Sequence, residues 1–151
     1  MAKFKYRMQN VLDIKQKMEE SAKMEFAEAN LRVMKEEEKL SEILHRKRKY
    51  EAEGKMLRKE KLHVSDIKSN AKAISVLQGM QREQEKEVEK AAAFQEQKRL
   101  ALHNAMQERK IQEKLYENAF EEFKQEENVR ESKEIDELVS YVYGQRSKEE
   151  I

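Results

Sequence analysis

The chain has 151 residues, with 32 Lys or Arg against 31 Asp or Glu, a formal net charge of +1, and 42% charged against 38% hydrophobic residues. It contains no Pro, Cys or Trp and only three Gly. This excludes disulfides, thiolate metal sites and Cys nucleophiles, and leaves too little bulky apolar material for a layered core. Abundant Glu, Lys, Gln, Ala and Met favour helix over strand. Disorder is the rival for a chain this polar, but mixed and nearly balanced charges pair along helix faces.

The opening Met1-Ala2-Lys3-Phe4-Lys5-Tyr6-Arg7 is basic, but no apolar stretch follows it, which argues against a secretory signal. No apolar run approaches the ~20 residues of a membrane span. From about Lys3 to Lys61 one heptad series takes Met8, Lys15, Ala22, Ala29, Glu36, Ile43, Tyr50, Leu57 and Val64. Its companion takes Leu12, Glu19, Phe26, Val33, Leu40, Lys47, Gly54 and Lys61; together 11 of 17 positions are apolar, well above the chain average. That predicts one sticky stripe on a long helix. Met18, Met24, Met34 and Met56 are expected near its edges, filling irregular gaps.

The stretch from Lys61 to Ile67 is where this periodicity fades. Ser65 and Asp66 are adjacent N-cap types ahead of a new apolar series, Ile67, Ala71, Ile74 and Leu77. The pattern predicts a turn over about 62–66. The other reading is one uninterrupted helix, but a single helix of this length has nowhere to bury its stripe.

A second helix is predicted over about 67–143. Its main register is Ile67, Ile74, Gln81, Val88, Gln95, Leu102, Arg109, Tyr116 and Phe123. The companion set is Asn70, Leu77, Gln84, Ala91, Lys98, Ala105, Gln112, Ala119 and Glu126; only 10 of these 18 are apolar. Gln and Arg at seam positions lower stability and help fix register. Gly79 is a place for the helix to soften, Gly144 a C-terminal stop, and 145–151 a frayed tail. The predicted fold is all-α: one coiled-coil domain over 1–151, an antiparallel hairpin whose second helix is longer. Folded at the turn, the start of the first arm meets the second near Phe123. Ile135, Leu138, Val139 and Val142 then form a stripe with no partner inside the chain.

Chemistry is sparse. There is no phosphate-cradling GxxxxGK[ST] and no HExxH, and His45, His63 and His103 lie far apart in sequence. Glu36-Glu37-Glu38 and Glu126-Glu127 read as solvated faces, and a pair of helices offers no pocket to tune a catalytic carboxylate. The expectation is no enzyme activity, no metal and no cofactor. The run His45-Arg46-Lys47-Arg48-Lys49 reads as a solvated face rather than a nucleic-acid site, since only Tyr50 offers stacking.

The segment Phe4-Lys5-Tyr6-Arg7-Met8-Gln9-Asn10-Val11-Leu12-Asp13 resembles the start of the bacterial flagellar export family FliJ, an aromatic-x-aromatic-Arg-aliphatic-Gln pattern running into aliphatic-Leu-acid. Val64-Ser65-Asp66-Ile67 through Leu77 is similar to that family's turn and second-helix start. Ser132 to Leu138 resembles its late acidic signature. Ala73 departs from the pattern, where many members carry a large aromatic. The resemblance implies a cytoplasmic stalk and adaptor of flagellar type III export, peripheral at the inner membrane through its partners, monomeric in isolation, and shaped like the gamma-subunit stalk of rotary ATP synthases. The implied partners are the export ATPase FliI, the gate protein FlhA and export chaperones, with no nucleic acid.

Phe4, Arg7, Met8, Val11, Ile135, Leu138, Val139 and Val142 are the candidate ATPase-facing residues. Ile43, Tyr50, Leu77 and Met80 are the candidate gate-facing ones. The alternative function is a generic coiled-coil scaffold or homodimer.

Overall fold

The computed structural model describes residues 2–59 and 63–149. Two helices make up the fold, α1 (Gln9–Lys59) and the longer α2 (Val64–Glu149), packed against each other, with no strand among the described residues. The chain divides into two compact units. One joins Met1–Met18 to Met106–Ile151, and the other is Glu19–Ala105.

Within the larger unit the two helices run antiparallel, as the cross-helix hydrogen bonds show. Lys98 Nζ donates to Glu25 and Gln95 Nε2 to Asn30; further along, Lys47 Nζ donates to Gln81 and Asn70 Nδ2 to the Tyr50 carbonyl. As the α1 partner moves forward from 25 to 50, the α2 partner moves back from 98 to 70. Near the middle, Gln84 Nε2 donates to both the Glu36 backbone carbonyl, at 3.0 Å, and its carboxylate.

The heptad series read from the sequence are the residues that meet in the seam. From Leu12 to Leu57, and from Ile67 to Phe123, every position of both series is buried or half-buried. Leu12, Ala29, Val33, Leu77 and Ala91 are the buried apolar ones. Burying a Leu or Val contributes about 1.5–3 kcal/mol. Polar seam residues are also covered. Glu19 is only 5% exposed, with Lys23 at 3.3 Å from its carboxylate. Glu36, expected on a solvated face, is half-buried against Gln84.

The methionines depart from expectation. Met18, Met24, Met34 and Met56 are all exposed, because none falls on a seam position of α1. They fill no gap in the core.

The element ends also differ from the sequence reading. α1 starts at Gln9 rather than near Lys3, with the Met8 carbonyl accepting from the Val11 and Leu12 amides at 3.0 and 3.1 Å. The residues ahead of it are drawn off the helix by aromatic packing described below. The predicted turn falls partly on residues 60–62, which lie outside the described residues. α2 begins at Val64, not Ile67, and the His63 carbonyl accepts from the Asp66 and Ile67 amides, both at 3.1 Å. His63 thus takes the cap position. Asp66 sits in the first turn, where its charge suits the positive end of the helix dipole. Gly144 does not stop α2. No glycine has positive φ, so the left-handed conformation that ends many helices is absent here, and the helix runs through to Glu149.

Gly54 has a structural reason. A Cβ at this position would lie 2.5 Å from the Asn70 amide oxygen, while the same amide donates to Tyr50 at 2.8 Å. Glycine lets α2's asparagine reach the α1 backbone. Gly79, by contrast, faces open space and α2 continues through it.

We expect Gly54→Ala to be nearly neutral in the parent chain, because about 1 kcal/mol of helix propensity is offset by displacing the Asn70 hydrogen bond. In an Asn70→Ala background the same change should stabilise by about 1 kcal/mol. Urea melts of the four proteins in this double-mutant cycle measure the coupling. Strict additivity would show that Asn70 does not constrain Gly54.

Candidate functional site

Two regions hold the residues singled out by sequence, one in each unit. In the unit that contains both termini, the segment ahead of α1 lies across α2. The Phe4 ring packs against Tyr116, Phe120 and Phe123 at centroid separations of 5.6, 5.3 and 5.2 Å. Tyr6 meets Tyr116 edge-on at 5.2 Å, and Lys15 pairs with Glu108 at 2.9 Å. Lys124 caps the Phe120 ring at 4.7 Å. Edge-to-face aromatic pairs add about 0.5–1.5 kcal/mol beyond burial. This cluster holds the first residues against α2 without helical backbone, and it places Phe4 beside Phe123 as the sequence reading expected.

Phe4 and Val11 are half-buried in this packing, whereas Arg7 and Met8 are exposed. Beside the aromatic cluster, Ala2, Phe120, Phe123 and Glu131 border a groove of about 330 Å³. Two buried polar atoms here, Tyr6 Oη and Gln112 Oε1, have no hydrogen-bond partner among the described residues.

Beyond the aromatic cluster, α2 changes character. From Asn128 to Glu149 every described residue is exposed. Ile135 is 59% and Leu138 63% exposed, and Val139 and Val142 are exposed with them. The α2 helix is unbroken, so its seam phase carries forward from Phe123. The next seam positions would be Glu126, Arg130, Lys133, Glu137 and Ser140, all polar and all exposed. At about 100° per residue, Ile135, Leu138, Val139 and Val142 are centred roughly 110° round the helix from Phe123. The apolar stripe is therefore rotated to one flank of the seam line beyond the aromatic cluster, with Leu138 five turns along the same line as Phe120. Arg130 is held by Glu127 at 3.2 Å, and Glu127, also read as solvated, is half-buried.

In the other unit, Ile43 and Tyr50 are half-buried and Leu77 is buried to 3% exposure. Leu77 is thus a seam residue with little surface to offer. Met80 and Val76 are exposed. Tyr50, Ala73 and Met80 border a shallow groove of about 360 Å³, and Tyr50 and Ala73 also border a cleft of about 500 Å³ with Leu57 and Ser69. Ala73, small at this position, lines both grooves beside the half-buried Tyr50. Sequence reasoning named Leu77 and missed Val76, one residue earlier and on the outer face. The signal was present, since Val76 falls outside both heptad series.

Among the described residues no group of three His, Asp or Glu is placed to hold a metal ion, and no helix is long and apolar enough to cross a membrane. The Glu96 carboxyl is held below its usual range by the Arg99 hydrogen bond at 2.6 Å, an exposed pair on one helix.

The family model for the Flagellar FliJ protein matches residues 4–148. This chain belongs to the flagellar FliJ protein family. FliJ-family proteins are non-catalytic, export-related flagellar proteins, so both regions are read as places for macromolecular contact. No curated protein and no solved structure matches the chain. The match begins at Phe4, the residue at the centre of the aromatic cluster, and spans nearly all of α2.

Truncating Phe4 to Ala should destabilise the chain by about 2 kcal/mol, since the ring touches three aromatic neighbours. Tyr6→Phe should leave stability unchanged or slightly raised, because the phenol oxygen it removes is buried without a partner. Thermal melts followed by circular dichroism test both. A large loss on Tyr6→Phe would show that this hydroxyl is satisfied in solution.

Proposed function

We propose that this chain is a non-enzymatic stalk and adaptor of flagellar type III export, connecting the export ATPase FliI, the gate protein FlhA and export chaperones. The observation that carries this reading is the bare apolar stripe on α2 of a FliJ-family chain. Ile135, Leu138, Val139 and Val142 are exposed on a helix that its own partner helix leaves uncovered. Burying each side chain contributes about 1.5–3 kcal/mol before the costs of association, enough to seat a helix in a partner's opening. In this reading the ATPase takes the end carrying Arg7, Met8 and the α2 stripe. Phe4 and Val11 act beneath it, by holding the N-terminal segment in place.

The gate protein contacts the other unit, where Tyr50 and Met80 border open grooves and Ile43 and Leu77 support them from the seam. The chain acts as a monomer held at the cytoplasmic face of the inner membrane by these partners. The two helices complete one seam within a single chain, which leaves no second α1 to recruit.

Pull-down of the export ATPase and measurement of its hydrolysis rate test the reading. Deleting residues 130–151 should leave the thermal midpoint nearly unchanged and abolish stimulation. Leu138→Asp with Val139→Asp should do the same, while Lys133→Ala with Glu137→Ala, on the old seam side, should retain stimulation. Stimulation that survives the Asp pair, or is lost only with the seam-side pair, would refute the stripe as the coupling face.

A further inference from the structure

The net charge of +1 conceals a strong local imbalance. Over residues 45–59 and 63–82 there are ten Lys or Arg against only Glu51, Glu53 and Asp66. These two segments flank residues 60–62, and the antiparallel pairing lays them side by side, as the Lys47–Gln81 and Asn70–Tyr50 bonds show. Nine of the ten cations are exposed; Lys47 alone is half-buried, turned in towards Gln81.

Their pairing sets them apart from the rest of the chain. Elsewhere Lys and Arg are commonly matched with carboxylates, along one helix as in Lys90–Glu87 or across the seam as in Lys98–Glu25. Among the described residues, none of these ten cations forms an ion pair. A surface of uncompensated like charge raises the local potential and draws polyanions. Most of the cations, including Lys49, Lys55, Lys68 and Lys72, fall on outward heptad positions of both helices rather than along one groove.

We infer that this basic end of α1 and α2 binds anionic phospholipid headgroups directly. Charge attracts a sheet of fixed negative headgroups and the attraction decays within a Debye length. Two further observations favour a bilayer over a nucleic acid or an acidic protein segment. Met56 and Val64, both 64% exposed, lie among the cations, and the headgroup–acyl boundary accepts such side chains where a polyanion in water does not. Base stacking has only Tyr50 to work with, and Tyr50 is half-buried. The spread of charge around both helices also suits a fluid surface better than one extended peptide. This binding is independent of the ATPase contact proposed above, which uses residues of the other unit.

The test is co-sedimentation of the full chain with vesicles of phosphatidylglycerol and phosphatidylethanolamine, beside vesicles of phosphatidylcholine alone. Binding should be confined to the anionic vesicles and fall steeply with added salt. Reversing four exposed charges, Lys55→Glu, Arg58→Glu, Lys68→Glu and Lys72→Glu, should lower partitioning by about tenfold or more. The corresponding Gln variants should lower it less, and circular dichroism should show both sets helical. A Met56→Trp reporter should shift its emission to the blue on anionic vesicles only. The inference is overturned by equal binding to phosphatidylcholine, or by charge-reversed protein that still binds. It is also overturned if duplex DNA or polyglutamate competes at equal charge while the Trp emission stays unshifted on vesicles. That last outcome would assign the surface to a polyanion in solution.

Discussion

A two-helix fold has a core one side chain deep, and everything else in this structure follows from that limit. Each seam residue touches only the opposite helix, so no third layer is available to hide a polar group or absorb an error of register. The seam meets the limit by mixing small apolar contacts, such as Ala29 and Ala91, with amide and carboxylate groups bonded across it. A one-heptad slip would still pair apolar with apolar along much of the length. It would also strand Gln84 away from Glu36 and drive Asn70 against a residue other than Gly54. Alanine permits several registers, and the hydrogen bonds select one.

Both heptad series were legible because period alone decides which residues can meet in such a seam. They hold from Leu12 to Leu57 and from Ile67 to Phe123, with polar members included. The helix ends were less legible because their causes are non-local. Phe4 and Tyr6 fit a helical pattern, yet aromatic side chains more than a hundred residues further along the chain pull them out of it. Ser65 and Asp66 have good capping chemistry, but His63 occupies the cap and leaves them inside the first turn. Gly144 has the right residue type for a stop without the backbone conformation that makes one. Gly54 was invisible as a requirement, since only the pairing of the helices shows what it faces.

The candidate docking residues divide along the same line. The exposed stripe from Ile135 to Val142 was readable because a length mismatch between the arms is a property of the sequence. At the other end, composition alone does not separate a seam leucine from a surface one. Leu77 proves to be core, and Val76 and Met80 carry the exposed apolar surface beside Tyr50. Charge behaves similarly. A balanced total says little, because pairing the two segments that flank the turn gathers their cations at one end of the helix pair.

The shift of the apolar face along α2 constrains what can ever cover it. The straight continuation of the seam along α2 runs over Arg130, Lys133 and Glu137, with Ile135, Leu138, Val139 and Val142 turned to one flank of it. Rotation off the seam line thus adds to the difference in helix length in leaving the stripe uncovered by α1.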